Sequence, residues 1–152
     1  MPILFGLVKD LIMEYESATR SHKGEFKMRK IVATPKAPAA VGPYAQANIF
    51  GNMVYTSGQL GLIPETGELA VGVEAQAEQA LQNIQAVLAA AGCTMADVIK
   101  TTVFLADIAD FGKINEIYAK YFTGETPARS CLQAGALPKG ALFEIEVVAY
   151  KG

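Results

Sequence analysis

Arg129 is the only arginine beyond residue 30, and it stands in a stretch with strand character, about 128–134, instead of on a solvated helix. Period-two alternation puts Arg129, Cys131 and Gln133 on one side of that strand and Ser130, Leu132 and Ala134 on the other. On the last strand, about 142–150, Phe143, Ile145, Val147 and Ala149 form an apolar side, leaving Glu144, Glu146 and Val148 opposite. If the two strands pair as an antiparallel hairpin, the pattern permits a register with Cys131 opposite Glu144. Arg129 and Glu144 are then diagonal neighbours about 7–8 Å apart, and a guanidinium and a carboxylate share one sheet face. Such a pair is either a cross-strand ion pair or a site that binds an anion and moves a proton. Cys131 reads as a small core residue or a nucleophile, Glu146 as solvated or paired at an interface, and Cys93 as packing. Spacing alone stops at an α+β domain with a polar sheet face.

What the chain lacks narrows the chemistry. Its one histidine, His22, is the only ring around which a Ser-His-Asp triad, a Cys-His pair or a His-based metal site could form. Two cysteines without Cys-x-x-Cys spacing make no disulfide framework and point to a reducing, cytoplasmic setting. No Gly-x-Gly-x-x-Gly or Walker-type run is present, so neither a phosphate-cradling cofactor nor a metal is expected. The 152 residues fit one domain, and 51% hydrophobic with 18% charged residues describes a folded globule. Residues 1–30 carry six Lys/Arg and four Asp/Glu, whereas 31–152 carry seven and eleven; an acidic body without Trp is a poor nucleic-acid surface.

These side chains must be positioned by a simple run of elements. Strand signals cover about 29–34, 46–50 and 52–59, with turn residues at 50–53. A helix over about 73–91 carries Ala77, Ala80, Leu81, Ile84, Val87, Leu88 and Ala91 on one stripe and stops at Gly92. A strand at 98–105 precedes a second helix, which Asp110 caps and whose apolar face is Phe111, Ile114, Ile117, Tyr118, Tyr121 and Phe122. The order describes an α+β sandwich with two helices on one sheet face. Residues 1–27 stand apart as an N-terminal extension to a single domain at 28–152. Leu4, Leu7, Val8, Leu11, Ile12 and Tyr15 recur there at helical spacing, and Met28 is an alternative start. The extension has no basic start or cleavage site, so it is not a signal peptide; it packs on the body or a neighbouring subunit, with membrane-surface anchoring the lesser reading.

Several short motifs in consistent order resemble the RidA/YjgF family of reactive-intermediate deaminases. They are Ala39-Ala40-Val41-Gly42-Pro43-Tyr44, Thr56-Ser57-Gly58-Gln59, Thr66-Gly67-Glu68, Lys100-Thr101-Thr102-Val103-Phe104, and Asp110-Phe111 with Asn115. Pro127-Ala128-Arg129-Ser130-Cys131, Leu137-Pro138-Lys139 and Glu144-Ile145-Glu146 complete the set, so the resemblance spans about residues 30–150. It implies a chorismate-mutase-like α+β fold, a homotrimer with sites in clefts between subunits, and a cofactor-free hydrolysis. The substrates implied are enamines and imines such as 2-aminoacrylate and 2-iminobutanoate, converted to 2-oxo acids and ammonia. Carried onto this chain, Arg129 grips the substrate carboxylate, Glu144 handles water and proton, Cys131 contacts the substrate, and Tyr44, Ser57, Gly58 and Asn115 line the site. Phe143 departs from the family's aliphatic residue before the glutamate and is expected to tighten the pocket floor; Ala136 lacks a basic side chain found in some members. The competing class is a non-catalytic trimeric sensor of 2-oxo acids or amino acids. The ribonuclease activity described for some relatives is disfavoured by the acidic body. No nucleic-acid or membrane partner is expected.

Overall fold

The longest helix, α1 (Val73–Ala91), follows from a run rich in Ala, Leu and Gln whose apolar residues recur every three or four positions. All seven residues of the expected stripe are buried. Gly92 ends it in the left-handed conformation, φ 79°, and its N–H donates to Ala89 O at 3.0 Å, a geometry costly for any residue with a Cβ. These observations come from a computed structural model that describes residues 29–152. The helix expected within residues 1–27, and that extension as a whole, lie outside the described residues.

Beyond α1 the elements are β1 (Lys30–Val32), β2 (Ala47–Phe50), β3 (Met53–Thr56), β4 (Gln59–Leu60), β5 (Val98–Leu105), α2 (Phe111–Tyr121), β6 (Ala128–Gln133) and β7 (Phe143–Tyr150). They form a seven-stranded sheet in the order β1-β2-β3-β7-β5-β6, with β4 also paired to β7. The strand expected over 52–59 is divided: β3 and β4 each pair antiparallel with β7, and Ser57 and Gly58 leave the ladder between them. Both helices pack on one face, where Leu81, Ile84, Val87 and Leu88 meet Val54, Val103, Leu105, Phe143, Ile145 and Val147 in the core. Phe143 is fully buried there, on the side opposite Glu144, so it tightens the core and not a pocket floor.

The expected hairpin between the last two strands does not form. β5 lies between them, parallel to β6 and antiparallel to β7. The reason is topological: β6 follows α2, and a strand-helix-strand crossover returns the chain parallel to its start. The 134–142 connection then crosses to the other side of β5. Cys131 therefore sits opposite Val103 and not Glu144, while Glu144 sits opposite Phe104 and Arg129 opposite Thr101. Thr101, Val103 and Leu105 face the helices, and Arg129, Cys131 and Gln133 share that side. Glu144 and Glu146 share the other face with Phe104 and Thr102. Within one chain, then, Arg129 and Glu144 lie on opposite faces of the sheet, two strand spacings or about 9–10 Å apart across it and three residues apart in register along it.

Asp110 stands at the N-cap position of α2, as expected, but does not cap it with its side chain. Its side chain makes no capping bond and instead pairs with Lys113 at 3.1 Å; the capping carboxylate is Asp107, which accepts from Ala109 N at 2.9 Å at the head of a short 3-10 turn leading into α2.

Candidate active site

Two clusters hold the candidate residues, one on each side of the sheet. The first is built on β6 and α2. The Arg129 guanidinium carbon lies 4.6 Å from the Tyr118 ring centroid and 5.3 Å from that of Phe111. Rings seven residues apart are about 10 Å apart along a helix, so the guanidinium fills the gap between them. Asn115 occupies the intervening turn of the same helix face. Arg129 is half-buried, yet among the described residues its guanidinium has neither a carboxylate partner nor a hydrogen-bond acceptor. Five donors are thus held in place with nothing among the described residues to bind.

Cys131 follows on the same side of β6 and is half-buried. Burial raises its thiol pKa and the nearby Arg129 charge offsets this only in part. A thiol in that state is a neutral contact and not an activated nucleophile.

The second cluster lines a cleft of about 710 Å³ between the 38–46 loop, the β3–β4 break and β7, and it contains Tyr44, Ser57, Gly58, Glu144, Glu146 and Lys139. Glu144 is half-buried; burial is the larger cause that raises its pKa, and the like charge of Glu146 adds to it. Gly58 lies directly against this carboxyl group: a Cβ built there would stand 2.8 Å from the carboxyl carbon and overlap one oxygen. The residue type is therefore a steric requirement of the Glu144 position. Ser57 Oγ donates to Ala45 O at 2.6 Å, which ties the strand break to the 38–46 loop. Tyr44 is half exposed, with its hydroxyl accepting from Val41 N at 3.3 Å.

The structure thus unites Tyr44, Ser57, Gly58 and Glu144, and separately unites Arg129, Cys131 and Asn115. It does not unite the two sets in one chain. Sequence reasoning missed the aromatic seat of Arg129, although Phe111 and Tyr118 at i and i+7 on a helix feeding into β6 were a usable signal. It also missed Gln46, which is buried and holds the 34–38 loop by accepting from Thr34 N at 2.6 Å and donating to Thr34 O and Pro38 O at 3.0 and 2.8 Å. Nothing in the sequence singles that glutamine out. Among the described residues no group of His, Cys, Asp and Glu side chains has the arrangement of a metal site.

Comparison with known proteins gives matches over most of the chain. The family model described as endoribonuclease L-PSP matches residues 34–151. The chain is 52% identical over 126 residues to the rat protein named 2-iminobutanoate/2-iminopropanoate deaminase, covering 82% of this chain and 92% of that one. It superposes on the crystal structure of Escherichia coli TdcF with bound serine with a TM-score of 0.79 at 44% identity, covering 81% of this chain and 99% of the other. A crystal structure of RidA from an Antarctic Psychrobacter species gives a TM-score of 0.78 at 50% identity, with 80% and 98% coverage.

Proposed function

The chain belongs to the RidA/YjgF family, and we propose that it carries out imine deamination at a site assembled from both clusters, Arg129 of one copy meeting Glu144 of another. The activity is that of a 2-iminobutanoate/2-iminopropanoate deaminase: an imino acid and water become a 2-oxo acid and ammonia. The observation that carries the site assignment is Arg129, half-buried, seated on two rings and without an acceptor among the described residues. A guanidinium edge in that state binds a carboxylate by two parallel N–H···O bonds.

The rest of the reaction needs a proton carrier. The imine carbon is already electrophilic, so water adds to it as a base takes one of the water's protons and passes it to the imine nitrogen, giving a carbinolamine; the hydroxyl proton then goes by way of the same base to the amine, which leaves as ammonia while the C–O bond becomes a carbonyl. A carboxylate whose pKa is raised by burial and a like charge suits both halves of this exchange, and Glu144 is such a group. It also serves the enamine-to-imine step by protonating the substrate carbon. Ser57, Gly58 and Tyr44 line the water side of the cleft, and Asn115 and the Cys131 thiol line the carboxylate side.

Joining the halves requires a second copy, and the open sheet face supports one. Ile31, Phe50, Tyr55, Leu132 and Tyr150 lie on that face, each between 44% and 66% exposed, and Asn48 Oδ1 is buried among them without a partner among the described residues. Exposed apolar surface of this kind is what subunit association covers. We therefore read the protein as a homotrimer with intersubunit sites. No helix among the described residues is long and apolar enough to cross a membrane. Both free cysteines fit a cytoplasmic setting, and the −4 charge over residues 31–152 disfavours RNA as a partner.

The test generates 2-aminoacrylate in situ with a serine or threonine dehydratase and follows pyruvate. Added protein accelerates pyruvate formation, Arg129→Ala abolishes the acceleration while remaining folded, and Glu144→Gln lowers turnover more than 2-oxobutanoate affinity. Normal turnover by Arg129→Ala removes that residue from the site. Ligand affinity without acceleration by the parent protein transfers the reading to a small-molecule sensor, as the serine bound to TdcF would allow.

A further inference from the structure

Thr101 and Arg129 are direct partners in the parallel ladder of β5 and β6, both facing α2. The Thr101 hydroxyl, fully buried, shares a 2.9 Å hydrogen bond with the Tyr118 hydroxyl, and the Tyr118 ring carries the guanidinium 4.6 Å from its centroid. These contacts close a circuit. The ladder sets where Arg129 leaves the backbone, the hydroxyl bond sets the ring, and the ring sets where the guanidinium ends. Phe111, more exposed and 5.3 Å away, bounds its other end. Tyr118 is further fixed by its tilted contact with Phe122, centroids 4.4 Å apart.

We infer that Tyr118, locked by Thr101, and Phe111 are positioning residues that pre-set the Arg129 guanidinium for the substrate carboxylate. The inference rests on the reading of Arg129 as the carboxylate clamp. An arginine side chain free in solvent must give up rotamer freedom when it binds, whereas one already seated between two rings has given it up on folding. Cation–π attraction supplies the seat without consuming the N–H edge, so all the donors that face the cleft remain for the ligand. A carboxylate partner would have fixed the guanidinium equally well but would have occupied those donors. Burial raises the Tyr118 pKa, so its hydroxyl stays neutral and offers no competing anion. A purely structural role for Tyr118, filling the core between α2 and β5, predicts no link to ligand affinity.

The experiment measures KM and kcat in the dehydratase-coupled assay and 2-oxobutanoate affinity by calorimetry, using the full chain. Tyr118→Leu, which removes the ring, raises KM and weakens 2-oxobutanoate binding about 3- to 30-fold with kcat within about twofold. Tyr118→Phe, which keeps the ring, stays within about threefold of the parent. Phe111→Leu, at a partly exposed site that leaves the core intact, gives a smaller rise in KM and serves where Tyr118→Leu fails to fold. In an Arg129→Ala background Tyr118→Leu adds nothing further to the loss of affinity, because the group it positions is gone. Unchanged KM and affinity in folded Tyr118→Leu or Phe111→Leu, beside an Arg129→Ala that has lost both, overturns the positioning role alone. Parent-like KM in Arg129→Ala overturns the clamp reading and this inference with it.

Discussion

Glu144 and Glu146 stand two residues apart on the same side of β7, and the like charge of one is a cause of the raised pKa of the other. The sign of the effect differs for stability and for activity. A carboxyl group whose pKa is raised by folding favours the fold in its protonated form; that contribution is full below the ordinary carboxylate range and is lost as pH rises through the raised value. Activity runs the other way, because the working base is the carboxylate, and kcat/KM falls as pH drops through the same value. Replacing Glu146 by Gln removes the second cause and leaves burial, so the acid limb of the kcat/KM profile moves to lower pH without reaching the ordinary range. A limb that stays in place would detach it from Glu144. Gly58 is the steric counterpart. Gly58→Ala displaces the carboxyl group that now occupies the position of the missing Cβ, and a misplacement on the order of 1 Å costs about 100-fold in kcat. Affinity for 2-oxobutanoate, governed by Arg129 from the other cluster, stays close to that of the parent.

At the level of elements, both helices and the faces of the individual strands were legible in the sequence. Periodicity is a local property: α1 and β5 have the boundaries that their apolar spacing predicts, and Glu144 alternates with buried neighbours as period two requires. Which strand lies beside which is not local. Nothing within 128–150 reveals that β5 intervenes between β6 and β7, so the correct side of each strand led to the wrong side of the sheet for the pair Arg129 and Glu144. The residues proposed for the site were singled out through their motifs, whereas their division into two clusters was not legible. Asp110 holds the expected N-cap position without the expected side-chain bond for a related reason, since Asp107 and Asp110 both precede a helical turn and only the backbone conformation decides which carboxylate caps. β4 is sensitive to a single substitution just beyond its end, where a Cβ at Gly61 would overlap the Gln76 backbone of α1. Gly61→Ala forces that strand off the helix and destabilises the protein by about 1–3 kcal/mol in denaturant unfolding. Because Leu60 is the ladder partner of Glu144, activity falls in the same variant under conditions where it remains folded.

For the whole molecule, the opposite placement of Arg129 and Glu144 makes a prediction that no single-chain site would share. Arg129→Ala retains an intact Glu144 cluster, and Glu144→Gln an intact Arg129 cluster, because the two sets share no residue and lie on different faces of the sheet. Arg129→Ala alone is inactive and Glu144→Gln alone turns over slowly, since every site in either assembly lacks one group. When the two are denatured together in equal amounts and refolded, subunits assort at random. A site that takes its arginine from one copy and its glutamate from the next is complete when the first is Glu144→Gln and the second Arg129→Ala, which restores about one quarter of parent activity in a closed ring. A site contained in one chain restores none, because each chain still lacks one of its two groups. The yield of recovered activity, measured against the mixing ratio, therefore reports where the second half of the site comes from: a maximum near equal amounts requires two chains per site, and a flat line at the level of the separate variants places both residues in one chain's site and overturns the two-chain assembly.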